Sequence, residues 1–361
     1  MKTIEKRAFQ ITFTRILLKW DRDKNTRQMP WKGESDPYKI WLSEIILQQT
    51  RVEQGMSYYR NFIKSFPTVH HLAKAPDNKI FKLWEGLGYY NRCSNLIYTG
   101  RYISKEKNGI FPDSFSDLKT LKGIGPYTAA AIASFAFHLP HAVVDGNVFR
   151  VLSRIFGIDK PIDSGPGKKY ITELADQLLD KKKPGLYNQA IMDFGAVVCK
   201  PKAPICISCP FTKICIAYKT GRVNNLPVKE KKTRIKKRWF YFLVLEYKNK
   251  VLIRQRTDND IWQKLYEYPM IEAKDDQTQR AILQKAEKKG WLKKNKYNSY
   301  EVSKIYKQQL SHQLILARFI KIRLDQAPLK TANGLWENKS RLIHYAFPKI
   351  INNYLDINVI G

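Results

Sequence analysis

Apolar residues recur at helical spacing through the first 220 residues. Ile4, Phe9, Ile11, Ile16, Leu17 and Trp20 make an approximately helical stripe, which predicts a helix over 3–20. A polar loop from Arg22 to Gly33 follows and ends in Met29-Pro30-Trp31-Lys32. Asp36-Pro37 then pairs an N-cap with a first-turn proline and opens a helix that carries Tyr38 through Thr50. Further helices are predicted over 52–65, 77–85, 92–107, 114–120, 126–137, 147–156, 168–180 and 184–197, mostly separated by short loops with Pro or Gly. Residues 1–221 therefore read as an all-α domain.

From Gly221 the pattern changes. Arg222 to Arg238 holds eight basic residues, one acid and no sustained apolar period. A solvated linker has this composition, and so does a linker that faces DNA. Strand-like runs follow at 239–247, 250–254 and 314–320, with helical patterns near 277–289 and 340–354. Residues 239–361 read as a second, α+β domain.

Composition narrows the partners. With 361 residues there is room for two cores, and 43% hydrophobic content with 20 tyrosines argues for a folded chain. No apolar run is long enough to span a bilayer, and no signal peptide is evident at the N-terminus. Lys and Arg total 64 against 32 Asp and Glu, for a net charge of +32. Such a surplus calls for a polyanion, nucleic acid or an anionic membrane; charge alone does not separate the two.

Four of the five cysteines cluster as Cys199-(six)-Cys206-(two)-Cys209-(five)-Cys215, with Pro201, Pro204 and Pro210 between and beside them. Secreted disulfide frameworks are more evenly spread, so the reading is reduced, intracellular and metal-binding. Zinc sites more often pair two Cys-x-x-Cys arms across a longer gap, and only one such arm is present. Four cysteines are also the ligand set of a [4Fe–4S] cluster. Cys93, far away in sequence, reads as a small buried hydrophobe.

Two stretches suggest chemistry. Leu121-Lys122-Gly123-Ile124-Gly125-Pro126-Tyr127 is a tight glycine turn, with Gly123 and Gly125, at the start of an Ala-rich helix. Free amides and the helix dipole at such a start favour an anion such as a phosphate, although an ordinary helical hairpin has the same look. The second is Val143-Val144-Asp145-Gly146-Asn147, a turn before a fresh helix, with Asn147 as a plausible N-cap. Together they resemble the helix-hairpin-helix and aspartate of DNA base-excision glycosylases. The six-two-five cysteine spacing closely resembles the iron–sulfur motif that ends endonuclease-III-type glycosylase domains.

The string Trp41-Leu42-Ser43-Glu44-Ile45-Ile46-Leu47-Gln48-Gln49-Thr50-Arg51-Val52 narrows the family. It resembles the catalytic helix of MutY-type adenine DNA glycosylases, as do Trp84 to Arg92, Gly123 to Thr128 and Val144 to Val148. The resemblance covers nearly all of residues 10–220. It implies that Glu44 protonates a flipped-out adenine while Asp145 stabilises the positive sugar, with Tyr127 and Asn147 in the same catalytic set. An acid among Trp41, Leu42, Ile45 and Ile46 suits the first task, because desolvation favours the protonated form. An aspartate at a helix start suits the second, because amides and the dipole favour the ionised form.

Gln49 and Tyr89 are implied to enter the duplex, and Lys32 and Gln189 to line the adenine pocket. Trp31, Leu47 and Thr50 lie in or beside the matching strings and join the substrate-binding set. Lys32 stands where the family commonly has arginine, and Gln189 where some relatives have glutamate. Endonuclease-III-type lyases carry a lysine at the position of Tyr127, and a phenol cannot form a Schiff base. Lys122 precedes the turn and should face elsewhere, so the chain reads as monofunctional.

The C-terminal region resembles, more weakly, the MutT-like (Nudix-like) domain of the same enzymes. Trp262 to Pro269 is similar to a Leu-Trp-Glu-Phe-Pro type motif. Leu310-Ser311-His312 aligns with a Phe-Ser-His turn, which implies contact of Ser311 and His312 with 8-oxoguanine; leucine replaces the aromatic residue. No acidic nucleotide-hydrolase signature follows.

The expectation is a monomeric, cytoplasmic, DNA-associated enzyme with no membrane association. It would carry a [4Fe–4S] cluster and act on double-stranded DNA containing A opposite 8-oxoguanine or G. An endonuclease-III-like glycosylase/lyase for oxidised pyrimidines and a non-catalytic iron–sulfur DNA-binding protein are the alternatives.

Overall fold

Capping chemistry sets the helix starts. Asp36 accepts from the Tyr38 amide, Ser114 from Asp117, Asp145 from Val148 and Ser164 from Gly167, each satisfying an amide that the helix leaves unpaired. The computed structural model describes residues 3–230, 235–293, 297–325 and 334–359. It divides into one unit of Met1–Lys74 with Asn95–Lys232, and a second of Ala75–Ser94 with Thr233–Gly361.

The first unit is all-α. Its helices Thr3–Lys24, Gly146–Phe156, Gly165–Leu178 and Pro184–Val197 close over Phe13, Leu17, Trp20, Val151, Leu152, Ile155, Ile171, Ala190 and Phe194. Phe211, from the cysteine-bearing segment, is buried in the same core beside Phe13 and Phe194. Burying each such side chain contributes roughly 1.5–3 kcal/mol, so the cysteine loop is anchored by packing as well as by its thiols. Ala130 and Ala131 keep Pro126–Ala136 slim where it packs into this core.

Two departures from the sequence reading concern helices. Val69–Lys74 and Ile216–Lys219 are helical but too short to show a period. The helix that opens at Pro37 stops at Leu47, short of Thr50. Gln48 caps it with its N–H on the Glu44 carbonyl, and Gln49 then takes a left-handed φ of 56°. Polar Gln48-Gln49-Thr50 makes the turn, and a fresh helix starts at Val52.

The second unit is built on a mixed sheet of β1 (Lys236–Tyr247), β2 (Lys250–Gln255), β3 (Tyr266–Glu267), β4 (Met270–Ala273), β5 (Tyr297–Val302), β6 (Tyr306–Gln309), β7 (Gln313–Leu324) and β8 (Gly334–Asn338). The path runs β3-β2-β1-β7-β5, with β4 on β1, β6 on β7 and β8 on β2. β1 and β7 are parallel from Lys236↔Gln313 to Glu246↔Arg323, and the other pairs are antiparallel. Helix Gln279–Lys288 covers one face through Ile282, Leu283 and Ala286 against Tyr241, Leu243 and Leu245. On the other face Phe242 stacks on Phe319, and Phe319 stacks on Tyr354 of helix Lys349–Val359 at 4.0 Å. A strand covered on both faces explains why β1 is a continuous apolar run rather than an alternation. The sequence reading found β1, β2 and β7, whereas the shorter partner strands carry too few residues to show a pattern.

The basic stretch 222–238 divides differently from the linker expected. Leu226 is buried, its carbonyl accepts from Arg154 Nε, and the Val228 carbonyl accepts from the Ile162 amide, so this part belongs to the helical unit. Lys236 to Arg238 begin β1, and residues 231–234 lie outside the described residues. Arg238 is not solvated: it is 8% exposed and its guanidinium pairs with Asp260 and Glu272. Among the described residues no helix is long and apolar enough to cross a membrane.

Candidate active site

Glu44 lies on the buried side of helix Pro37–Leu47 with 6% of its surface exposed. Burial pushes its carboxyl pKa up to about 7. A hydrogen bond from the Tyr127 hydroxyl works against this rise, and the charge of Asp145 works with it. Tyr127, at the first turn of helix Pro126–Ala136, is held well above the usual tyrosine range by burial and by both carboxylates, so its phenol keeps its proton. The structure therefore brings Glu44, Tyr127 and Asp145 into one electrostatic group.

Asp145 itself caps helix Gly146–Phe156, accepting from the Val148 amide at 2.8 Å. Asn147 is not the cap; it is the second residue of the helix and donates to Asp145 Oδ2 at 2.7 Å. Burial raises the Asp145 carboxyl, while bonds from Val148 and Asn147 and the Arg150 charge lower it. The balance is upward, so the helix start tempers the cost of burial without reversing it.

Arg150, which the sequence reading passed over, extends the chain of contacts. Its guanidinium donates to Asn147 Oδ1 at 2.8 Å and to the carbonyls of Gly195 and Cys199. Gly195 is required here, because a Cβ at that position would lie 2.6 Å from the Cβ of Asn147.

Gly123 has a φ of 83°, and a Cβ there would meet Asn95 at 2.7 Å. Gly125, in extended backbone, is the N-cap of helix Pro126–Ala136 and has open space before it. The Lys122 ammonium lies over the Tyr98 ring at 4.7 Å, as expected for a residue that faces elsewhere. At the neighbouring turn Gln49 is exposed, while Leu47 and Thr50 are half-buried and the Thr50 amide donates to the Leu47 carbonyl.

Lys32 and Gln189 meet at a residue the sequence reading did not single out. Asp193 is fully buried and accepts from Lys32 Nζ at 3.1 Å and Gln189 Nε2 at 2.9 Å. Arg27 Nη1 and Asn25 Nδ2 complete its partners at 2.7 and 2.9 Å. Nothing in the sequence pattern marks Asp193, because it sits in an apolar helical run whose partners come from a distant loop. Trp31, in that loop, is buried edge-on against Tyr59.

The four clustered cysteines line one small cavity together with Arg154, and none of them is in a disulfide. Among the described residues no three His, Cys, Asp or Glu side chains converge closely enough to hold a single metal ion. The four thiols thus line a common space, and four thiolates are the ligand set of either one zinc ion or an iron–sulfur cluster. Burial and neighbouring thiols push Cys206 and Cys215 up, and Cys209 up to about 12, so deprotonation calls for cationic compensation. Arg154, 3% exposed, points Nη1 at Cys199 Sγ at 3.5 Å and also binds the Lys200 and Pro201 carbonyls.

In the second unit Tyr89 has a φ of 49°, is 44% exposed, and hydrogen-bonds the Ser311 hydroxyl. Arg92 lies over both the Trp84 and Tyr89 rings. Tyr89, Arg92, Asp260, Trp262, Ser311 and His312 line a cavity of about 530 Å³. The Leu310–Gln313 turn is closed by a backbone hydrogen bond at 2.8 Å, and both Ser311 and His312 are exposed. Thus the structure groups Tyr89 with Ser311 and His312, and separately Glu44 with Tyr127 and Asp145.

Residues 42–181 match the HhH-GPD superfamily of base excision DNA repair proteins, and residues 240–356 match the NUDIX domain. A solved thermostable thymine-DNA glycosylase superposes with a TM-score of 0.54 at 29% identity, covering 61% of this chain and 100% of that one. Fold and site together define a helix-hairpin-helix DNA glycosylase of base excision repair. The adenine DNA glycosylase of Buchnera aphidicola subsp. Baizongia pistaciae (strain Bp) is 34% identical over 337 residues, 91% of each chain. That of Buchnera aphidicola subsp. Schizaphis graminum (strain Sg) is 33% identical over 353 residues, 96% of this chain and 98% of the relative. The chain belongs to the adenine DNA glycosylase family.

Proposed function

We propose that this chain is a monofunctional glycosylase that excises adenine paired with 8-oxoguanine or guanine in duplex DNA. The observation that carries this reading is the buried Glu44 carboxyl, raised to about 7 beside Tyr127 and Asp145. At neutral pH a substantial fraction of Glu44 keeps a proton to donate, whereas an ordinary surface glutamate would not. Breaking the N-glycosidic bond leaves electrons on the departing adenine and positive charge on the sugar. Glu44 protonates the base; Asp145, tied down by Asn147 and Val148, offsets the oxocarbenium charge. Water then completes hydrolysis.

The base must leave the stack to be surrounded by these groups. Gln49 and Tyr89, both non-glycine residues at positive φ, would enter the space it vacates. Gly123 and Gly125 would present the amides of their turn to a backbone phosphate. Trp31, Lys32, Leu47, Thr50 and Gln189 would surround the adenine and its flanking backbone. Ser311 and His312 would read the oxidised guanine, whose N7 becomes a donor and whose C8 gains an oxygen.

Cys199, Cys206, Cys209 and Cys215 would hold a [4Fe–4S] cluster. When bound it supplies a four-point cross-link of the loop, beneath which Arg154 and Phe211 are packed. We assign residues 1–221 to glycosylase chemistry and 239–361 to lesion recognition. The test is to incubate the protein with duplexes carrying A opposite 8-oxoguanine, G, C or T. Free adenine from the first two and little from the others supports the proposal; release of oxidised pyrimidines with strand cleavage overturns it.

A further inference from the structure

Asp193 uses its whole acceptor capacity. Oδ1 takes Arg27 Nη1 at 2.7 Å and Gln189 Nε2 at 2.9 Å; Oδ2 takes Asn25 Nδ2 at 2.9 Å and Lys32 Nζ at 3.1 Å. A carboxylate has about four lone-pair sites, and all four are occupied by donors. The group has no exposed surface, so losing any partner would leave a buried lone pair of the carboxylate without a donor.

One consequence bears on Gln189. A glutamine side chain has a donor end and an acceptor end, and these are normally free to exchange by a flip. Here Gln189 lies one helical turn before Asp193, and a carboxylate can only accept. The nitrogen end is therefore pinned inward, and the carbonyl oxygen is the end left for anything in front of the half-buried side chain. Adenine carries an exocyclic amino group, a donor, at the position where guanine and hypoxanthine carry a carbonyl, an acceptor.

We propose that Asp193 is a specificity-determining positioning residue: it fixes the polarity of the Gln189 amide so that an acceptor faces the 6-position of the flipped purine. Asp193 touches no substrate; it acts through Gln189, and by anchoring Lys32 it holds the other side of the pocket loop at the same point. This rests on the proposed placement of Gln189 in the adenine pocket.

The experiment compares single-turnover release of adenine and of hypoxanthine, each opposite 8-oxoguanine, by the full-length protein. The wild type should prefer adenine. In Asp193→Asn the new side chain can donate as well as accept, Gln189 can flip, and the adenine-to-hypoxanthine ratio should fall about tenfold or more. A merely structural role would lower both rates together and leave the ratio unmoved, which would overturn the proposal.

Gln189→Ala keeps Asp193 and its three other donors, and it too should collapse the ratio; an unchanged ratio there overturns the proposal even if Asp193→Asn does not fold. In a Gln189→Ala background, adding Asp193→Asn should change the ratio no further. A wild type that releases no adenine at all would instead overturn the proposed function. One that releases adenine in preference to hypoxanthine, with variants that keep the ratio, overturns this inference alone.

Discussion

Asn147 donates its side-chain nitrogen to Asp145 Oδ2 at 2.7 Å, while its oxygen accepts from Arg150 at 2.8 Å. The amide is thus oriented from both ends: the guanidinium can only donate, so the nitrogen must face the carboxylate. Arg150 is in turn bound to the Cys199 carbonyl, so the aspartate is braced against the segment that carries the first clustered cysteine.

Replacing Asn147 with Ala removes both bonds and leaves two partly buried charged groups short of a partner. Adenine release should fall about 10- to 100-fold under single-turnover conditions, the loss expected for a charge-assisted hydrogen bond of roughly 1.5–3 kcal/mol. Affinity for the mispaired duplex should change far less. A release rate within twofold of wild type would remove Asn147 from the catalytic set.

Glu44→Gln keeps shape but cannot donate a carboxylic proton, and general acid catalysis is worth about 10²–10⁴-fold. The same substitution should stabilise the protein at alkaline pH. Folded Glu44 titrates near 7 and an unfolded glutamate near 4.5, so between these values the folded state binds the extra proton and stability falls as pH rises. Above pH 7 the full penalty applies, on the order of 3 kcal/mol, and the glutamine variant escapes it. Thermal melts at pH 4.5 and pH 8 check the sign: the variant should gain over wild type only at the higher pH. Wild-type adenine release should decline as pH rises through about 7.

Tyr127 predicts the product. Its protonated phenol cannot attack the sugar carbon, and the Lys122 ammonium is parked on Tyr98. Reaction should leave an abasic site that breaks only after alkali or heat. Borohydride added during turnover should trap no protein–DNA adduct; efficient trapping would favour a lyase.

The long helices were legible because period and caps agreed: Asp36-Pro37 and Ser114 begin helices where the sequence says they should. What escaped detection depends on partners distant in sequence. Three of the four donors to Asp193, from Asn25, Arg27 and Lys32, lie more than 150 positions earlier. Arg150 and Arg154 read as ordinary helix charges until their carbonyl partners are seen. The helix that opens at Pro37 ends at Leu47 rather than running on to Thr50: glutamine is a good helix former, and tertiary context overrides that weak preference. β3, β6 and β8 are too short to announce themselves and exist as partners of β2 and β7.

The last prediction concerns Ser311 and His312. Ser311 shares a hydroxyl hydrogen bond with Tyr89, and both residues line the same cavity with His312. If this turn reads the oxidised guanine, its acceptors matter only where N7 carries a proton. Ser311→Ala/His312→Ala in the full-length protein should therefore slow adenine release opposite 8-oxoguanine far more than opposite guanine. A bidentate base contact is typically worth about 1–3 kcal/mol of discrimination, so the ratio of the two rates should drop by roughly 5- to 100-fold. Neither side chain is buried in a core, so the melting temperature should stay within a few degrees of wild type. Leu310, half-buried beside them, cannot stack on a base as an aromatic residue would, so Leu310→Phe should raise the preference rather than lower it. A double variant that still distinguishes the two mispairs as well as wild type would move lesion recognition away from this turn.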